Sequence, residues 1–197
     1  KLKIGIIDFK STNLFSISKA LSKFGIIKKI TIPKHFENID LLVIPGVGTF
    51  SSSMEFLRKK KLEKKIINHA NSGKKVIGIC LGMQLLLDHG TETRKTKGIS
   101  LIKGKVHKFG KKNTNIGWKN VEFIEKLKKR SLKYNFFYFI HAYFCNVEPK
   151  YIYAYSNFKG KIFPSIIKKN NIIGIQFHPE KSGMSGLIFL KKMILEK

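Results

Sequence analysis

Four short apolar runs, each bounded by polar or glycine-containing turns, dominate the N-terminal part of the chain: KIGIID (3–8), IIKKITI (26–32), IDLLVIPG (39–46) and KKVIGI (74–79). Runs this short and this rich in β-branched residues fit buried strands rather than core helices. Between them lie stretches with helical spacing. In TNLFSISKALSKFG (12–25), Leu14, Ile17, Leu21 and Phe24 fall on one stripe and Gly25 supplies a stop. SSSMEFLRKKKLEKKIINHANSG (51–73) reads as one helix from a serine cap to Gly73. Strand, helix, strand, strand, helix, strand predicts an α/β fold, an open and mostly parallel sheet with helices on its faces.

The second half has a different texture. ISLIKGKVHKF (99–109), IGWKNVEFI (116–124), NFFYFIHAYF (135–144), YIYAYSNF (151–158), KIFPSIIKKN (161–170) and NIIGIQFHPE (171–180) are short β-rich segments separated by Gly, Asn and Lys clusters. They predict a smaller, largely antiparallel portion of the sheet, closed by a last helix in GLIFLKKMILEK (186–197). No repeat, linker or low-complexity tract divides the sequence, so residues 1–197 are expected to form a single domain. That length buries about 70% of the surface an unfolded chain exposes.

A net charge of +27 suggests nucleic-acid binding, but the kind of charge argues against it. Of the 39 basic residues only Arg58, Arg94 and Arg130 are arginines, whose planar fork reads phosphate and guanine. The lysines are spread through every segment, as on a solvated basic surface, and no nucleic-acid partner is expected. Two cysteines, Cys80 and Cys145, do not make a disulfide framework and fit a reducing compartment. The apolar run before Asp8 is too short for a signal peptide or a membrane span, so a cytoplasmic protein without a membrane partner is expected.

In an open parallel sheet, ligands collect beyond the carboxyl ends of the strands. Two segments lie there: PGVGTF (45–50) after the third strand and GICLGMQ (78–84) after the fourth. In the second, Cys80 stands between Gly78 and Gly82 where a strand turns into a helix. Such a turn strains the backbone around a nucleophile, and small neighbours make room for it. The helix start favours thiolate over thiol.

A reactive cysteine needs a base, and the base an orienting group. His35, His69, His89 and His107 sit in polar or basic surroundings with no ligand-like partner. His178 instead ends an apolar strand in IIGIQFHPEKSG, with Pro179 stiffening the link to Glu180. An extended backbone would project His178 and Glu180 to one side. Taken singly, His-Pro-Glu is a surface turn and Cys80 a packed thiol; together they read as a Cys80–His178–Glu180 triad. PGVG is too short for a dinucleotide loop. Its backbone N–H groups around Val47 and Gly48, with that of Leu81, read as an oxyanion hole. No His/Cys pair has metal-site spacing, and no metal is expected. Cys145 reads as an inert strand residue. Trp118, between Gly117 and Lys119, suits an exposed strand edge at a subunit interface.

GICLGMQ together with QFHPEKSG resembles the class I, triad-type glutamine amidotransferases. PGVGTF, GISLIKGKV (98–106), NIGWKNV (115–121) and FYFIHAYF (137–144) are similar to one branch of that family, the glutaminase subunits of imidazole glycerol phosphate synthases in histidine biosynthesis. The resemblance implies Cys80 as nucleophile, His178 as general base and acid, and Glu180 as its orienter. Gly48, Gln84 and Tyr143 would surround the glutamine substrate, and no cofactor is implied. Ammonia would pass to a separate (β/α)₈-barrel cyclase subunit in a heterodimer, with Asn13 and Trp118 at the interface. That partner would make imidazole glycerol phosphate and aminoimidazole carboxamide ribotide. The alternative is a paralogous branch that supplies ammonia to a cell-surface sugar pathway through a similar barrel. Some positions depart from the family pattern. Lys10 and Thr12 replace glycines in DFKSTN, Ala142 replaces a serine in HAY, and Thr114–Asn115 replace Pro-His before Ile-Gly-Trp.

Overall fold

The computed structural model describes residues 1–10, 14–46, 48–92, 95–110, 113–124 and 135–195. The N-terminal part runs β1 (Leu2–Ile7), α1 (Phe15–Leu21), β2 (Gly25–Ile30), β3 (Leu41–Ile44), α2 (Phe50–Lys59), α3 (Glu63–Asn71), β4 (Lys75–Ile79) and α4 (Leu81–Leu85). Neighbouring strands β2, β1, β3 and β4 pair in parallel. The inner strands β1, β3 and β4 are largely apolar on both sides because helices cover both faces, while the edge strand β2 carries Lys28 and Lys29. Within β3, Leu41 and Val43 pack with α1 on one face, while Leu42 and Ile44 pack with α2 and α3 on the other. The same alternation separates Val76 from Ile77 and Ile79 in β4.

One expected helix is two. α2 starts after the Thr49 cap rather than a serine, and Lys61 at φ 56° breaks the segment before α3. The break is a left-handed helix end: Leu62 N–H donates to the Leu57 carbonyl at 2.8 Å and Lys61 N–H to that of Arg58 at 2.9 Å. It lets Met54 and Leu57 of α2 and Ile66 and Ala70 of α3 reach one core, which a straight helix could not curve to follow.

The later strands are β5 (His89–Gly90), β6 (Thr96–Lys97), β7 (Gly104–Lys108), β8 (Asn115–Asn120), β9 (Glu122–Phe123), β10 (Phe136–His141), β11 (Tyr143–Val147), β12 (Ile152–Phe158), β13 (Lys161–Lys169) and β14 (Ile172–Ile175), followed by α5 (Gly183–Leu195). They form more than one extension of the sheet. β14 returns to pair in parallel with β4 and then antiparallel with β13, continuing the main order β2-β1-β3-β4-β14-β13-β12-β9. β8 and β10 make a separate antiparallel ribbon, and β11, β7, β5 and β6 a small third sheet. The mostly parallel sheet flanked by helices is thus as expected, while its antiparallel portion is split in three. The insertion of β14 beside β4 brings the ends of both strands, Ile175 and Ile79, side by side. No helix among the described residues is long and apolar enough to cross a membrane.

Candidate active site

Cys80 follows β4 directly, with φ 52° and ψ −108°, a conformation L-residues avoid. Its N–H donates to the Ile175 carbonyl at 2.6 Å, anchoring the elbow to β14. The glycines around it are there for close approach. A Cβ on Gly82 would fall on the Ile44 carbonyl oxygen, and one on Gly78 would stand 2.5 Å from the Gly82 oxygen. A Cβ on Gly46 would lie 2.5 Å from the Cys80 Cβ. The β3 turn and the elbow therefore pack backbone against backbone.

His178 lies three residues past the end of β14, and its N–H donates to the Tyr138 carbonyl of β10 at 2.9 Å. The link to Glu180 is not extended as the spacing suggests. Pro179–Lys181 form a single 3₁₀ turn, which folds the carboxylate back so that Nδ1 and Glu180 Oε1 meet at 2.7 Å. Both side chains are buried. Burial acts most strongly on the imidazole and lowers its pKa. The charge of Cys80, a hydrogen bond to it, and the Glu180 carboxylate outweigh that and raise the pKa to about 10. With Nδ1 held by Glu180, the opposite nitrogen is the one available to the sulfur.

The two converge on a cleft of about 320 Å³ lined by residues that include Gly46, Gly48, Leu81, Gln84 and Tyr143. Gly48, at φ +104°, occupies backbone space that other residues rarely adopt. Gln84 Nε2 donates to the Tyr143 carbonyl at 3.2 Å and to Gln176 Oε1 at 3.4 Å. Cys80 Sγ lies 3.7 Å from Gln176 Nε2 and 3.8 Å from the Ile140 carbonyl. Cys145, in β11, is fully buried, and desolvation followed by the charge of Cys80 pushes its thiol pKa far up. Val47 and Asn13 lie outside the described residues.

Trp118 stands away from the cleft. The β8–β10 ribbon exposes Ile116, Trp118, Phe136 and Ile140, with Trp118 itself 52% exposed and edge-on to its cross-strand neighbour Tyr138. Lys10, at φ 61°, takes a left-handed turn closed by Asp8, the geometry a glycine would adopt without strain.

Several residues at the cleft lie outside the triad and glycine-loop patterns of the sequence. His141, Glu92 and Lys181 line it, and Gln176 sits behind Cys80. Glu92 Oε2 accepts from the Phe50 N–H at 2.6 Å and so ties the PGVG loop to the far wall. Only Gln176 left a local signal, a polar residue inside the apolar run IIGIQF. The arrangement suits acyl transfer from an amide: a thiol, a carboxylate-held imidazole and the backbone of Gly48 and Leu81 share one cleft.

Comparison with known proteins agrees. Residues 5–193 match the family model for class I glutamine amidotransferases. The imidazole glycerol phosphate synthase subunit HisH of Bacillus velezensis is 35% identical, covering 95% of this chain and 93% of the relative. The HisH subunit of Listeria innocua is 40% identical over 95% of this chain and 93% of its own length. Among solved structures, PurLQS from Thermotoga maritima superposes with a TM-score of 0.75 at 14% identity, covering 98% of both chains, a likeness of fold alone. The chain belongs to the class I glutamine amidotransferase family, in the branch of the HisH subunits, and is a glutamine amidotransferase.

Proposed function

We propose that this chain, acting as one domain over residues 1–197, is the glutaminase subunit of an imidazole glycerol phosphate synthase. The observation that carries the reading is the buried His178–Glu180 pair, 2.7 Å apart, opening onto the same cleft as the strained Cys80 elbow. In the proposed reaction the Cys80 sulfur attacks the side-chain amide carbon of glutamine. The oxyanion that forms is met by the N–H groups of Gly48 and Leu81. His178 gives its proton to the departing ammonia, and a water that His178 then deprotonates cleaves the thioester to glutamate. Glu180 holds the ring for both transfers. The exposed apolar face of the β8–β10 ribbon, with Trp118 at its middle, is where a (β/α)₈-barrel cyclase would dock, as aromatic residues suit interface centres. The ammonia would pass to that subunit and enter imidazole glycerol phosphate. The HisH relatives support this pathway over a sugar pathway.

The reading is tested by exposing the folded chain to the diazo-ketone analogue of glutamine and mapping the adduct by mass spectrometry. One equivalent should be captured at Cys80 and none at Cys145, whose thiol is buried and held protonated. Capture at Cys145, or none at either, would refute the assignment.

A further inference from the structure

The described residues hold a buried polar assembly that the triad does not use. His141, the last residue of β10, lies opposite Asn115, the first of β8, and both are buried. The rings of Phe109, Phe139 and Phe163 surround the imidazole at 5.5, 5.6 and 5.4 Å between centroids. Nδ1 lies 2.7 Å from the Tyr143 carbonyl oxygen, and Nε2 lies 3.0 Å from Asn115 Nδ2. A carbonyl oxygen only accepts, so Nδ1 must carry a proton. Burial lowers the ring's pKa to about 4, more than the Tyr143 carbonyl raises it, so the ring is neutral and Nε2 is bare. A bare Nε2 needs a donor, and the Asn115 amide supplies it. Turned the other way, that amide would set an oxygen lone pair against a nitrogen lone pair. The arrangement is kept although it leaves Asn115 Oδ1 buried without a partner.

The Tyr143 carbonyl takes a second hydrogen bond, from Gln84 Nε2. That nitrogen also reaches Gln176, whose amide in turn approaches the Cys80 sulfur. Both hydrogens of the Gln84 amide are therefore committed, leaving Oε1 as its polar atom for a ligand. If the ring proton moved to Nε2, a lone pair would face the carbonyl at the present 2.7 Å and push it away from Gln84.

We propose that Asn115 is a positioning residue: its amide holds the bare Nε2 of His141, keeping the Nδ1–H aimed at the Tyr143 carbonyl, and so fixes that carbonyl and Gln84 as the wall that receives the substrate glutamine. The proposal rests on the glutaminase reading above. It is tested on the full chain with Asn115→Leu, which has similar bulk and no donor, and Asn115→Asp. An aspartate would accept from Nε2–H, and the resulting imidazolium keeps its Nδ1 proton, so Asn115→Asp should stay close to wild type. Asn115→Leu should raise the half-saturating concentration of the diazo-ketone analogue about three- to tenfold, the worth of one hydrogen bond. Its maximal rate of Cys80 capture should change little. Ring-nitrogen NMR should show His141 protonated at Nδ1 in all three proteins. The downfield shift of the short Nδ1–H hydrogen bond should be kept in wild type and Asn115→Asp and lost in Asn115→Leu, where the ring is no longer held. Equal damage in both variants, no change in Asn115→Leu, or an Nε2 proton in wild type would overturn the proposal. If wild-type Cys80 is not captured at all, the glutaminase reading fails. The ring-nitrogen spectra then decide the proposal alone, by whether the short Nδ1–H hydrogen bond of wild type is loosened in Asn115→Leu.

Discussion

At the scale of single residues, the site depends on a charge balance between largely buried side chains. The raised pKa of His178 has a definite sign in stability. Its folded value of about 10 exceeds the ordinary 6.5, so its contribution is complete below about pH 6.5 and is lost as pH rises through 10. Glu180→Gln removes one of the groups that raise it. The variant should therefore be less stable than wild type below pH 6.5, and the gap should close at alkaline pH, read as Tm against pH. Its kcat for glutamine should fall by roughly 10²-fold or more, because the ring loses the group that orients it for proton transfer. Cys80, His178 and Glu180 were legible from sequence because each sits in a short local pattern: a glycine-flanked elbow and a strand-ending His-Pro-Glu. His141 and Glu92 were not, because their hydrogen-bond partners are Tyr143, Asn115 and Phe50, residues brought to them by tertiary folding.

At the scale of elements, the parallel half was legible because burial on both faces writes unbroken apolar runs, as in Leu41–Ile44. The split between α2 and α3 was not, since Lys61 carries no glycine signal for its left-handed turn. The mismatch is measurable. Lys61→Gly relieves a non-glycine residue at φ 56° and should raise stability by about 1 kcal/mol in denaturant unfolding. The ribbon makes the opposite case. Ile116 and Trp118 alternate with less exposed residues along β8, a half-buried strand whose outer face is apolar where a solvated one would be polar. Trp118→Ala should leave the isolated chain's Tm nearly unchanged and weaken binding of the cyclase by about 2 kcal/mol or more, measured calorimetrically. An unmoved Trp118 fluorescence on adding the cyclase would remove this face from the interface.

At the scale of the molecule, the sheet order explains why one cleft collects everything. Placing β14 between β4 and β13 sets His178 beside Cys80, although 98 positions separate them in the chain. The ribbon then closes the cleft from the side of Ile140–Tyr143, linking the site to the surface where the partner is proposed to dock. Of the chain's many lysines, Lys181 stands among the residues lining the cleft. In the proposed function, glutamine is opened at Cys80 and its ammonia is used in the partner. The direct measurement is synthesis of imidazole glycerol phosphate by the complex with its cyclase, for wild type and Cys80→Ala, with either glutamine or ammonium salts as nitrogen source. Cys80→Ala should lose glutamine-dependent synthesis by at least about 10³-fold and keep the ammonia-dependent rate, because the sulfur serves only the first half. Glutamine-dependent synthesis that survives in Cys80→Ala would contradict the account.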